Sequence, residues 1–248
     1  MNSQLARAAG WAALYLFWAG IAITANAGSF QVTPIRLEFS ASQRTGALTV
    51  RNDTSDPLVL QIELSEWSQR DGQDIYATTP ELLATPPIVT IAPGRDQVFR
   101  VGLRRPPDPS RELAYRVFLQ EVVPPPAADF KGLQVALRVG VPAFVKPVAP
   151  GAAPGASWTG RVTPEGKLAV VARNSGNIHL QVIELKVTAP GNDAAVASSD
   201  RMSYVLADQS REWLLDVKPA LPVGVTRLHL TAQTDAGPIE AELVLDQR

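Results

Sequence analysis

Apolar and polar residues alternate in short runs along most of this chain, and helical periodicity is nearly absent. The clearest run is Leu133-Gln-Val-Ala-Leu-Arg-Val-Gly-Val141, where Leu133, Val135, Leu137, Val139 and Val141 fall on one face of an extended backbone. Alternation at period 2 predicts a strand. By the same test strands are expected over Phe30–Phe39, Ala47–Arg51, Leu58–Trp67, Ile88–Ile91, Gln97–Leu103, Ala114–Val122 and Leu133–Val141. Pro, Gly, Asn and Asp separate the runs, as in antiparallel sandwiches. A strand as apolar as Leu133–Val141 must hide its face, either in its own core or in that of a partner.

From Val145 to Ala156 the chain reads VKPVAPGAAPGA, a stretch of small residues, prolines and glycines that suits a linker or sharp corner. Alternation then resumes over Lys167–Arg173, His179–Thr188, Ser203–Leu206, Arg211–Val217, Thr226–Thr234 and Ile239–Leu245. The expectation is an all-β protein of two immunoglobulin-like β-sandwich domains, the second smaller. An internal echo supports this: LTVRNDTSDPLVLQIEL (48–64) and LAVVARNSGNIHLQVIEL (168–185) both run strand, Arg-Asn, polar turn, strand.

The first residues stand apart from this pattern. Arg7 precedes an apolar run, Ala8–Ala22, which ends near Ala25-Asn-Ala27. A charged start, a short apolar middle and small residues at the end describe a secretory signal peptide, too short to span a bilayer. The organisation expected is thus 1–27 signal peptide, 28–148 first domain and 149–248 second domain, with no membrane span in the mature form. The chain has no cysteine, so an exported protein of this kind must stand on its hydrophobic cores. With 23 Lys+Arg against 24 Asp+Glu the net charge is −1, which offers no case for nucleic-acid binding.

Candidate chemistry is sparse. His179 and His229 are the only histidines, and both read as solvated strand residues. Without cysteine they make a zinc site improbable, and no nucleophile elbow, phosphate loop or calcium loop is present. Neither enzymatic activity, metal nor cofactor is expected. A β-sandwich that binds carbohydrate would want an exposed aromatic platform, for which Trp67, Trp158 and Trp213 are the candidates. A secreted adhesin or structural surface subunit of immunoglobulin type is the alternative of another class.

Several motifs in order resemble the periplasmic pilus chaperones of the chaperone–usher pathway, the PapD-like family. They are Phe30-Gln-Val-Thr-Pro-Ile-Arg-Leu37, then Ala84-Thr-Pro-Pro-Ile88 followed by Ala92-Pro-Gly94. Tyr115-Arg-Val-Phe-Leu-Gln-Glu121, Leu133-Gln-Val-Ala-Leu137, Ala172-Arg-Asn174 and Thr234-Asp-Ala-Gly237 complete the set. The resemblance implies two domains joined at an angle like a boomerang, and a periplasmic location in a Gram-negative bacterium. It implies a donor strand, with Leu133, Val135, Leu137 and Val139 filling the open groove of an incomplete pilus subunit by β-augmentation. An outer-membrane usher would be the second partner, and the free protein would hide the strand by self-association.

The resemblance further implies basic residues in the interdomain cleft that grip the subunit's C-terminal carboxylate. Arg36 matches the family's first-strand arginine, but the family's last-strand lysine position holds Pro142. Arg116 is the expected substitute, with Arg138 next. Interdomain ion pairs are implied among Glu112, Lys146 and Asp235. The short segment between Val123 and Gly132 resembles the short-loop chaperones associated with pili.

Overall fold

Strands form where alternating apolar residues find a second sheet to pack against. The computed structural model describes residues 30–125, 132–218, 221 and 224–246, so the expected signal peptide lies outside the described residues. The first domain contains β1 (Phe30–Thr33), β2 (Leu37–Phe39), β3 (Thr45–Asn52), β4 (Leu58–Arg70) and β5 (Gln73–Thr78), then β6 (Leu82–Thr85), β7 (Ile88–Ile91), β8 (Asp96–Leu103), β9 (Leu113–Glu121) and β10 (Arg138–Val145). One sheet runs β1-β3-β8-β6. The other runs β2-β10-β9-β4-β5, with β7 also on β4. Leu48, Val50, Leu60, Phe99, Val101, Val117, Leu119 and Val141 meet between them.

The second domain contains β11 (Ala156–Val162), β12 (Leu168–Asn174), β13 (Leu180–Thr188) and β14 (Ala195–Ser199), then β15 (Ser203–Val205), β16 (Ser210–Leu215), β17 (Arg227–Thr234) and β18 (Gly237–Asp246). Their order is β14-β13-β17-β18-β11-β12-β16, and β15 pairs with β13. β18 is antiparallel to β17 and parallel to β11, which carries the ladder from one layer to the other. Among the described residues every regular element is a strand, as the alternation predicts.

The echo between the two halves has a physical basis. Asn52 and Asn174 are both fully buried. The Asn52 amide donates to Asp56 O and Ile91 O, and its Oδ1 accepts from the Thr54 amide. Asn174 repeats this pattern, donating to Ile178 O and Val205 O and accepting from the Gly176 amide. Each asparagine pins a turn to a distant strand with bonds that a buried apolar side chain could not supply. The Arg-Asn signature therefore marks one repeated device.

Besides β6, β11 and β14, which no expected strand covers, three elements depart from expectation. Phe30–Phe39 is two strands, because Pro34 has no N–H to donate and the chain crosses there from one sheet to the other. A hairpin joins β4 to β5 through Asp71-Gly72, beyond the expected end at Trp67. Asp-Gly between alternating runs is a hairpin signal that could have foretold it.

The third correction concerns Leu133–Val141, whose strand begins only at Arg138 and continues to Val145. In the β9–β10 register Arg138 faces Gln120, so residues before 137 would face Val122–Pro125. Prolines there cannot donate to a ladder.

Candidate functional site

Residues 133–145 pass from solvent into the core along one stripe. Leu133 is 87% exposed and Val135 62%, Leu137 and Val139 are half-buried, and Val141 is buried. Val139 already packs against the first domain's own core. Among the described residues no backbone hydrogen bond holds 132–136. The first comes at Leu137, whose carbonyl accepts from the Glu121 amide and whose amide donates to the Glu121 carboxylate. Farther on, β2 pairs with β10 only over Ala143–Val145, so Arg138–Pro142 has a ladder partner on the β9 side alone. An apolar segment with unpaired backbone thus leads into a half-open sheet edge, the arrangement that accepts another chain as a strand.

That edge borders a cleft of about 640 Å3 lined from both domains, including Arg36, Trp67, Arg116, Pro142, Tyr204 and Asp235. The register explains how Pro142 fits. Glu121 and Leu137 form a hydrogen-bonded pair, so by alternation Arg116 and Pro142 are a non-hydrogen-bonded pair with closely spaced side chains. Proline therefore removes no bond to β9, and the residue opposite it in the ladder is the cation Arg116. Gly140 makes room as well, because a Cβ there would stand 2.9 Å from the Phe118 ring.

Arg116 donates through Nη1 to Gly140 O at 3.1 Å. Its guanidinium carbon lies 4.0 Å from the Trp67 ring centroid and 5.7 Å from that of Tyr204. The Nε of Arg116 is buried without a partner among the described residues. A buried donor left unpaired is costly, and an anionic ligand would satisfy it. Arg36 is held by Glu38 at 3.0 Å and by Asp235 at 3.9 Å. Arg138 is occupied elsewhere, paired with Glu63 at 2.8 Å and lying over the Phe118 ring.

Glu112, Lys146 and Asp235 do not pair directly with one another in the structure. Lys146 bonds Glu38 at 2.7 Å within its own domain, and Glu112 bonds His179 across the boundary at 2.6 Å. Asp235 lies 3.8 Å from the other nitrogen of His179 and caps the Gln181 amide. The expected trio is therefore linked in a chain through Glu38, Arg36 and His179. The hydrogen bond from Lys146, with the charges of Lys146 and Arg36, holds the Glu38 carboxyl below its ordinary range.

His179 corrects the sequence reading. It is not solvated: its side chain is 11% exposed and stacks on Phe144 with ring centroids 3.8 Å apart. His229 does lie on the exposed face of its strand. Trp67, Trp158 and Trp213 are all buried, so they form no exposed platform. Trp67 instead joins Phe144, Tyr204 and Leu206 in a small interdomain core. Position alone gave no sign that Tyr204 or His179 would meet residues of the first domain.

Residues 29–150 match the family described as the pili and flagellar-assembly chaperone, PapD N-terminal domain. The first domain belongs to the PapD-like family. Over 129 residues the chain is 30% identical to the chaperone protein PapD of Escherichia coli, a match covering 50% of the chain and 51% of the relative. It thus spans about half the length of that relative. Similarity of fold extends through both domains. The structure titled as the CsuC–CsuE chaperone–tip adhesion subunit pre-assembly complex, from archaic chaperone–usher Csu pili of Acinetobacter baumannii, covers 88% of this chain and all of its own, with a TM-score of 0.65 at 18% identity. The Salmonella enterica SafA pilin–SafB chaperone complex gives 0.59 at 16% identity, covering 88% of this chain and 98% of its own. The Escherichia coli chaperone DraB gives 0.55 at 18%, covering 86% and 98%.

Proposed function

We propose that this protein is a non-enzymatic periplasmic chaperone that lends residues 133–139 to an incomplete pilus subunit and delivers that subunit to an outer-membrane usher. The observation that carries the reading is the exposed stripe of Leu133 and Val135, unpaired in its backbone and continuous with the open edge of β10. An incomplete immunoglobulin-like subunit offers the complement, an unpaired edge beside an apolar groove. Backbone bonds would complete its sheet while Leu133, Val135 and Leu137 enter the groove, and Val139 would stay on the chaperone's own core. Full burial of one such side chain contributes about 1.5–3 kcal/mol. Losses of freedom on association offset part of the sum, which leaves the subunit releasable.

Arg36 and Arg116 are the proposed anchor for the subunit's terminal carboxylate, since the planar fork of arginine matches a carboxylate with two parallel bonds. Glu112, Lys146 and Asp235, linked through His179, Arg36 and Glu38, would fix the cleft between the domains. With no partner bound, self-association would cover the exposed segment.

The test is a pull-down from the periplasm of the native host with tagged protein and its Val135→Glu twin. Small secreted β-proteins recovered with the wild type and absent with the variant establish strand donation. Equal recovery with both overturns it.

A further inference from the structure

The interdomain cleft contains a further arginine, Arg211, that the anchor reading does not use. Asp74, on β5 of the first domain, receives three donors. Trp67 Nε1 and Gln69 Nε2 each reach its Oδ1 at 3.0 Å, and Arg211 Nη1 of the second domain reaches Oδ2 at 2.8 Å. The Asp74–Arg211 pair is largely shielded, with side chains 24% and 18% exposed. Both residues line the same cleft as Arg36 and Arg116.

The indole that Asp74 holds is the surface against which Arg116 rests, 4.0 Å from its ring centroid. Tyr204 of the second domain meets Trp67 in a T-shaped arrangement, with ring centroids 5.4 Å apart. Trp67 thus has its N–H held by a carboxylate, a tyrosine of the second domain packed against it, and a face turned to the guanidinium. A cation over an indole face is attracted by the ring's quadrupole, and the attraction depends on the orientation of the ring.

We propose that Asp74 is a positioning residue for Arg116: it fixes the Trp67 face on which that guanidinium rests and ties up Arg211, which would otherwise compete for the same anion. The inference rests on the reading of Arg116 as a carboxylate anchor. Arg211 offers the same fork as Arg116 in the same cleft, and a ligand that slid to it would shift the donated strand out of register. A register error of one residue turns the apolar face away from the groove. Asp74 neutralises that competitor through its bond to Nη1, while Arg211 Nε is left buried without a partner among the described residues.

The experiment uses the full mature protein and a short peptide of alternating valine and threonine, ending either in a free carboxylate or in an amide. The quantity read is the ratio of the two affinities. Wild type is expected to prefer the carboxylate by about tenfold, the scale of one charge-assisted bond. Asp74→Asn is combined with Arg211→Ala, since an Arg211 released by the first substitution would itself hold a carboxylate; the double variant is expected to bring the preference below about threefold, although the amidated peptide binds as before. Trp67→Phe keeps an aromatic core but deletes the N–H that Asp74 holds, and is expected to do the same. A loss of stability with the ratio intact in both variants assigns Asp74 a merely structural role and overturns the proposal.

The reading beneath the proposal is checked by Arg116→Ala. If wild type and Arg116→Ala share one ratio, the anchor reading falls and takes the proposal with it. If they differ while the Asp74→Asn/Arg211→Ala double variant and Trp67→Phe match wild type, the positioning role alone falls. A readout without ligand is the NMR signal of Arg116 Nε–H, displaced by the ring current of Trp67. Asp74→Asn should move it toward the position of a solvent-exposed arginine, and an unmoved signal overturns the proposal.

Discussion

Nδ1 of His179 stands 2.6 Å from Oε2 of Glu112, a contact that crosses from the second domain to the first. The same carboxylate oxygen accepts the backbone amide of His179 at 2.9 Å. Glu112 is itself buried, so these bonds are what keep its charge tolerable. With the Phe144 stack they make His179 a joint between domains.

His179→Ala should therefore lower stability by about 2–3 kcal/mol, because it removes the ring and one of the two bonds from residue 179 to a buried carboxylate, leaving only the backbone amide. Urea unfolding measures the loss. Adding Glu112→Gln should recover part of it, and a double-mutant cycle with strictly additive effects would count against the contact.

The stripe along residues 133–141 predicts two opposite results from one kind of substitution. Val135→Glu should leave the melting temperature of the free protein unchanged, since the side chain is 62% exposed, yet abolish subunit capture. Val141→Glu buries a charge in the first domain's core and should prevent stable folding. Thermal melts of the two variants side by side check the contrast. A large loss for Val135→Glu would return that residue to the protein's own core.

The tip of the β4–β5 hairpin offers a test of domain docking. Gly72 has φ near +75°, and its carbonyl accepts the Glu212 amide at 3.2 Å. A Cβ at Gly72 would lie 2.6 Å from the Cβ of Glu212. Gly72→Ala should cost about 1–3 kcal/mol and speed hydrogen exchange at the Glu212 amide, leaving core amides of either domain protected. Unchanged exchange at Glu212 would refute the docking contact.

Two groups make stability depend on pH at the extremes. Burial raises the Tyr115 phenol well above its ordinary range, assisted by its hydrogen bond to Glu81. A raised value means the stabilising term is whole below about pH 10, where the unfolded phenol titrates, and is lost as pH climbs beyond it. Tyr115→Phe should flatten that alkaline loss. Glu38 is the reverse case: its lowered value gives stability present above about pH 4.3 and lost as pH falls further. Glu38 is half-exposed, so the acid effect should be small, and Glu38→Gln should remove it. Melting temperatures across pH read both.

Alternation at period 2 was enough to determine the all-β class, the two sandwiches and most of their strands, because a strand's two faces differ wherever one meets a core. The Arg-Asn echo likewise carried real structure, since a buried asparagine amide has few ways to be satisfied. Arg36 and Arg116 could be singled out in the chain, but their placement in one cleft depends on the meeting of β2, β9 and the second domain. His179, Tyr204, Asp74 and Arg211 carried no local mark of their interdomain contacts. Nor could alternation tell that Leu133 and Val135 stand in solvent while Val141 lies in the core, for all three share one periodicity. Periodicity records which residues share a face, and only the arrangement of neighbouring strands decides what that face meets.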